Sequence, residues 1–124
     1  MAIRDLPPEI QEQIQRLQQL EQSTRTIQYQ LESIKASLNE TEATLKALEG
    51  FPDDEKVYKS VGKVMFKEKV SKIREELEDK KEILELRKIT YEKQEKRTKQ
   101  DFESTQKALQ QKLGTMPGFS DKAS

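Results

Sequence analysis

The sequence of 124 residues predicts a mainly α-helical protein, in which a short β-hairpin joins the two helices of a long antiparallel coiled coil. The first observation is composition: 32% of the residues are hydrophobic and 37% are charged, too few apolar residues for a globular core but enough for a coiled-coil seam. The second is a heptad repeat in two long stretches. The third is a short β-forming run between those stretches.

The first long stretch, residues 7–49, keeps one heptad register along its whole length. Position a holds Ile10, Leu17, Thr24, Leu31, Leu38 and Leu45, and position d holds Gln13, Leu20, Ile27, Ile34, Thr41 and Leu48. A disordered chain, the other class of protein with such a composition, would not repeat in this way. Prolines at positions 7 and 8 are typical of a first helical turn, and Gly50 is typical of a helix end. The pattern therefore predicts a supercoiled helix.

The middle segment, residues 56–67, has the composition of a β-hairpin. Two short runs of β-branched and aromatic residues flank Gly62, which we expect to adopt the positive φ of a tight turn. An isolated two-stranded hairpin is only marginally stable, and its strand edges lack partners. We therefore predict an oligomer interface, the alternative being that the hairpin folds onto its own helices. The hairpin set comprises Val57, Tyr58, Val61, Val64, Met65 and Phe66.

The second helix is predicted over residues 70–113, with a less regular seam. Its apolar or tolerant positions are Val70, Ile73, Leu77, Leu84, Tyr91, Thr98, Phe102, Leu109 and Leu113, and its polar seam positions are expected at Lys80, Arg87, Gln94 and Asp101. Gly114 and Pro117 favour a helix end. Residues 114–124 are expected to form a mobile tail.

Intramolecular pairing of the two helices explains both stretches at once. Partners in an antiparallel pair have a nearly constant sum of residue numbers, as do Leu48 with Val70, Leu20 with Thr98 and, after a shift of one residue, Ile10 with Leu109. Each helix would be about 60 Å long at about 1.5 Å per residue. We expect a single domain, residues 1–124, with both termini at one end and the hairpin at the other.

The sequence resembles a known family. Residues 50–66, read with residues 75–87, are similar to the beta-type subunit of archaeal prefoldin, and the most specific piece is residues 57–62, Val-Tyr-Lys-Ser-Val-Gly. The similarity covers nearly the whole chain. One departure is Lys88, where the family often has an apolar residue; here Ile89 follows one place later, which predicts altered local packing.

The resemblance implies a chaperone that works as a hetero-oligomer. A cytoplasmic location is expected because residues 1–5 lack the apolar core of a signal peptide. The implied assembly contains two alpha-type and four beta-type subunits, whose hairpins build a β-barrel platform. Coiled coils extend from this platform, and their tips hold unfolded client proteins without ATP and deliver them to a group II chaperonin. The rival interpretation is a structural coiled-coil spacer or tether that binds no client.

The expected client contacts lie at the end of the coiled coil that carries both termini. The tip set comprises Ile3, Leu6, Ile10, Ile14, Leu17, Phe102, Leu109, Leu113, Met116 and Phe119. Ile14 lies at an e position outside the seam, and Met116 and Phe119 follow the last predicted helical turn, so these side chains have no core to enter. Taken singly, Ile10, Leu17, Phe102 and Leu109 are more typical of side chains that close the coiled coil, whereas Ile3, Ile14, Met116 and Phe119 favour client contact. The tip set is therefore predicted to hold apolar client segments once the helices separate.

Other classes of function lack support in the sequence. With neither histidine nor cysteine, and only four glycines, there is no pattern for an enzyme, a cofactor or a metal, and none is expected. Positive and negative side chains number 23 each, which argues against a nucleic-acid partner because such proteins usually carry a basic surplus. Even the most basic stretch, residues 88–99, is interrupted by carboxylates. No apolar run has the length of a membrane span, so no membrane association is expected.

Overall fold

The computed structural model describes residues 5–115 of the chain. Helix α1 spans Pro8–Leu48, strand β1 spans Lys56–Val61, strand β2 spans Val64–Lys69, and helix α2 spans Val70–Gly114. The two strands form an antiparallel sheet between the two long helices. This order of elements confirms the predicted fold.

The chain divides into two compact units, and both helices contribute to each unit. The first unit combines residues up to Gln30 with residues from Tyr91 onward. In it, Lys112 Nζ donates a hydrogen bond of 3.2 Å to Glu9 Oε2, and Ile27 lines the same groove as Tyr91. The beginning of α1 therefore lies beside the end of α2 within this unit, and the two segments run antiparallel.

The second unit comprises Leu31–Thr90 and contains the hairpin. Arg74 Nη2 donates a hydrogen bond of 3.2 Å to the carbonyl oxygen of Leu48, and Lys81 Nζ lies 3.8 Å from Glu42 Oε1. These two contacts again pair later residues of α1 with earlier residues of α2. The helix segments of the second unit are therefore also antiparallel.

The seam of α1 follows the heptad register predicted from the sequence. Every a and d position is buried or half-buried. The buried apolar core of the described chain consists of Ile10, Ile27, Leu31, Ile34, Leu38, Leu48, Val70, Leu84 and Leu109. Thr41 is also buried, and its Oγ1 donates a hydrogen bond of 2.7 Å to the carbonyl oxygen of Ser37. The hydroxyl is therefore satisfied within its own helix, and the position stays compatible with an apolar seam.

The seam of α2 is more regular than the sequence suggested, and three of the four expected polar positions are wrong. Lys80, Arg87 and Gln94 are exposed, whereas Asp101 is half-buried as expected. The buried and half-buried positions instead alternate in steps of three and four, in the order Leu77, Lys81, Leu84, Lys88, Tyr91, Glu95, Thr98, Phe102. The step of four from Thr98 to Phe102, where the expected pairing shifts by one residue, is thus part of the regular repeat. Lysine can occupy such positions because its stem packs while its ammonium reaches water.

A two-residue turn, Gly62–Lys63, connects the strands. Gly62 has a φ of 59° and is the one position in the described chain with positive φ, as predicted. Glycine at the first central position, followed by a residue with negative φ, is the pattern of a type II′ turn, whose twist matches that of paired strands. The turn fixes the register in which Val61 faces Val64 and Lys56 faces Lys69.

The segment between α1 and β1 is held against the start of α2. The amide of Val70 donates a 2.9 Å hydrogen bond to the carbonyl oxygen of Glu55, and the amide of Ser71 donates a 3.1 Å bond to that of Asp53. Arg74 Nη1 adds a 2.6 Å ion pair with Asp53 Oδ1. The first amides of a helix have no intrahelical acceptor. These contacts therefore pair helix amides that would otherwise lack an acceptor, and they hold the segment before β1 against the start of α2.

We predict that Gly62→Ala destabilises the chain by about 1–2 kcal/mol, because a Cβ is strained in the left-handed region. The matched control is Gly50→Ala, since Gly50 has no positive φ and an added Cβ would meet no atom within 4 Å. The free energy of unfolding in urea measures both. An equal loss in the two variants would contradict the role assigned to the turn.

Candidate functional site

The strand register separates the hairpin into two faces, because residues directly opposite one another lie on the same side of a sheet. The first face carries Val57, Lys59, Val61, Val64, Phe66 and Glu68, and the second face carries Lys56, Tyr58, Ser60, Met65, Lys67 and Lys69. The hairpin set is therefore divided: four of its residues lie on the first face, while Tyr58 and Met65 lie on the second.

The part of the first face away from the turn is directed toward α2. Val57 and Glu68 are half-buried, and Lys59 Nζ forms a 2.5 Å ion pair with Glu76 Oε2. The hydrogen bond from the Lys59 ammonium lowers the pKa of the Glu76 carboxyl. Desolvation opposes this shift, and the positive charges of Lys59 and Lys72 reinforce it. The ion pair is solvent-exposed, so it orients the strand more than it stabilises the fold.

The part of the first face next to the turn is an uncovered apolar cluster. Val61, Val64 and Phe66 are each 52% exposed, and Val61 faces Val64 directly across the strands. In the described chain each strand has one neighbour, so the outer edge of each strand presents unpaired backbone amides and carbonyls. An apolar cluster flanked by two open edges can accept further strands from another polypeptide.

The second face is more polar and is also open. Tyr58 and Met65 are each 64% exposed, and Lys67 Nζ lies 5.8 Å from the centroid of the Tyr58 ring. A cation over an aromatic face is a weak attraction at an exposed site. The two faces thus differ: the first presents aliphatic and phenyl groups near the turn, and the second presents a tyrosine among lysines.

The described members of the tip set lie in the first unit and are not exposed. Ile10 and Leu109 are buried, whereas the side chains of Leu6, Ile14, Leu17, Phe102 and Leu113 are half-buried. Ile3, Met116 and Phe119 lie outside the described residues. The buried pair closes the helices, so these two side chains can contact a client only after the helices separate.

One polar atom weakens the closure of this end. The side-chain Oε1 of Gln13 is buried and has no hydrogen-bond partner among the described residues. A buried acceptor without a partner costs about 1–3 kcal/mol. Gln13 occupies a d position one turn from Ile10, so the cost falls on the seam next to the tip set. Separation of the helices there would return this oxygen to water.

Sequence reasoning missed a group of exposed apolar residues on α2. Ile83, Leu86 and Ile89 are 52%, 59% and 50% exposed. Their signal in the sequence is that they are apolar but lie outside the positions of the repeat. Where the sequence departs from the family pattern, Lys88 occupies the seam position and Ile89 faces solvent.

Within residues 5–115 there is no cluster of three or more acidic side chains that could hold a metal ion. Within the same range, neither helix has an apolar window of the kind that crosses a membrane.

Comparisons with known proteins agree with this geometry. A family model described as prefoldin subunit matches residues 11–116. Prefoldin subunit beta of Methanothrix thermoacetophila is 39% identical over 113 residues, which cover 91% of this chain and 94% of the relative. The same subunit of Archaeoglobus fulgidus is 37% identical and covers 92% of this chain and 98% of the relative.

A solved structure is similar as well. The crystal structure of the prefoldin beta subunit from Thermococcus strain KS-1 matches with a TM-score of 0.79 at 30% identity, covering 91% of this chain and 98% of that chain. These matches favour a chaperone over a passive spacer. The chain belongs to the prefoldin subunit family, whose members are chaperone subunits.

Proposed function

We propose that the chain is a subunit of an ATP-independent holdase that assembles through its hairpin, holds unfolded proteins with the tip set and delivers them to a group II chaperonin in the cytoplasm. The observation that carries the proposal is the exposed apolar cluster of Val61, Val64 and Phe66 between two open strand edges. The apolar faces of the two helices cover one another in the seam, whereas the apolar cluster of the hairpin stays uncovered and is available to another subunit.

The proposed assembly contains two alpha-type and four beta-type subunits. Strand addition at the open edges would pair the free backbone groups, and closure into a β-barrel would leave no edge exposed. Burial of an apolar side chain contributes roughly 1.5–3 kcal/mol. Val61, Val64 and Phe66 are half exposed in the isolated chain and would complete their burial in such a barrel.

The assembly proposal predicts that Val64→Asp combined with Phe66→Asp abolishes the complex with an alpha-type subunit, because two carboxylates would be buried without partners. The control combines Ser60→Asp, on the second face, with Lys63→Asp, in the turn, which adds the same number of carboxylates at exposed positions that are not part of the apolar cluster. Native mass spectrometry of each chain mixed with the alpha-type subunit measures the result. A six-subunit mass for the apolar-cluster variant would refute assembly through this face.

Client holding is proposed for the tip set. Five described members are half-buried, so partial separation of the helix ends would expose them. Each tip would bind weakly, since association costs the client its freedom of motion. Several tips acting on one client raise the effective affinity without new contacts. Weak, reversible and multiple contacts are suited to transfer of the client.

The holding proposal predicts that removal of residues 1–6 together with residues 113–124 leaves assembly intact but removes most of the suppression of aggregation. The test mixes the assembled complex with a chemically unfolded enzyme and records light scattering, with native mass recorded in parallel. Tyr29→Gln is the control, because Tyr29 is exposed but outside the tip set. Full suppression by a truncated, correctly assembled complex would exclude a holding role for the removed tip residues Ile3, Leu6, Leu113, Met116 and Phe119.

A further inference from the structure

The exposed apolar residues of α2 are confined to one short region. Every other large apolar side chain of α2 is buried or half-buried: Val70, Ile73, Leu77, Leu84, Tyr91, Phe102, Leu109 and Leu113. Only Ile83, Leu86 and Ile89, here called the α2 stripe, are exposed. Single exposed apolar residues are common on protein surfaces, but three within two helical turns form a patch.

The α2 stripe lies on the side of the helix away from the seam. At about 100° per residue, Leu86 projects opposite the mean direction of the seam positions Leu77, Lys81, Leu84 and Lys88. Ile83 and Ile89 flank it on either side. Burial agrees with this placement, because Leu84 is buried while its neighbours on the stripe are at least half exposed. The partner helix therefore cannot cover these three side chains.

The size of the α2 stripe decides which kind of partner it fits. A stable interface between folded proteins takes about 20–30 residues from each side. The α2 stripe has three residues, and exposed charged residues such as Asp79, Glu82 and Glu85 surround it. A second folded subunit would gain too little apolar burial there for lasting association. An unfolded polypeptide needs only a few apolar contacts and no complementary shape.

We propose that the α2 stripe is an additional contact site for apolar segments of unfolded client proteins. The proposal rests on the holdase function proposed above and extends the client-binding surface beyond the tip set. It assigns a role to three residues outside the coiled-coil repeat. A client held by the tips would gain further weak contacts on α2, and these contacts add through avidity.

The test replaces the α2 stripe by the combination Ile83→Gln, Leu86→Gln and Ile89→Gln. Glutamine has a good helix propensity, and all three positions are exposed, so the fold is retained. Loss of these contacts should raise the concentration of assembled complex needed for half-maximal suppression of aggregation by about twofold or more. The matched control combines Lys80→Gln, Glu85→Gln and Arg87→Gln, three exposed positions of the same helix region, and should leave that concentration unchanged.

A second measurement uses the otherwise unmodified chain. A photo-crosslinking amino acid at Leu86 of the assembled complex should label a chemically unfolded enzyme, whereas the same group at exposed Glu78 should label it much less.

If the wild-type complex suppresses aggregation and the stripe variant does so equally well, with no labelling from position 86, the α2 stripe is not a client site. A stripe variant that loses its six-subunit mass would show a subunit contact and overturn the proposal. Failure of the wild-type complex to suppress aggregation would instead overturn the proposed function itself.

Discussion

Packing of α1 against α2 through their apolar seam positions, which occurs in each of the two units, is the interaction on which the rest of this chain depends. A protein with 32% hydrophobic residues has no other place to bury them in quantity. The seam collects these residues at steps of three and four, and it tolerates Thr41 and the stems of Lys81 and Lys88 because their polar atoms are satisfied by the helix or by water. The contacts of Arg74 then join the seam to the hairpin.

Because the seam takes up most of the apolar residues, the few that lie outside it are candidate contact surfaces. Once the helices have paired, an apolar residue outside the seam has no partner in its own chain. The cluster near Gly62 and the α2 stripe are such groups, and each faces solvent in the isolated subunit. The first has open strand edges beside it and fits a permanent partner, whereas the second is too small for one and fits a transient contact. The tip set differs again, because its described members are covered but lie beside the unpaired oxygen of Gln13.

Much of this architecture could be predicted from the sequence because its signals are local or periodic. The register of α1 and the turn at Gly62 follow from residue types at fixed spacing. The seam of α2 was harder, because lysine and glutamate occupy seam positions as well as surface positions, and periodicity cannot distinguish Lys80 from Lys81. In the structure Lys80 is exposed and Lys81 is half-buried. The division of the hairpin set into two faces required the register, and the exposure of Leu86 required knowledge of which direction the partner helix covers.

We propose that each chain pairs its own two helices and leaves the hairpin for neighbouring subunits. The chain has no natural cysteine, so any disulfide within it must join the two introduced cysteines. In the assembled complex, cysteines replacing Ile27 and Tyr91, which line one groove, should form a disulfide within one chain on oxidation. A pair replacing Ile10 and Tyr91 should not react. Disulfides that form only between different chains in the Ile27–Tyr91 variant would contradict the account.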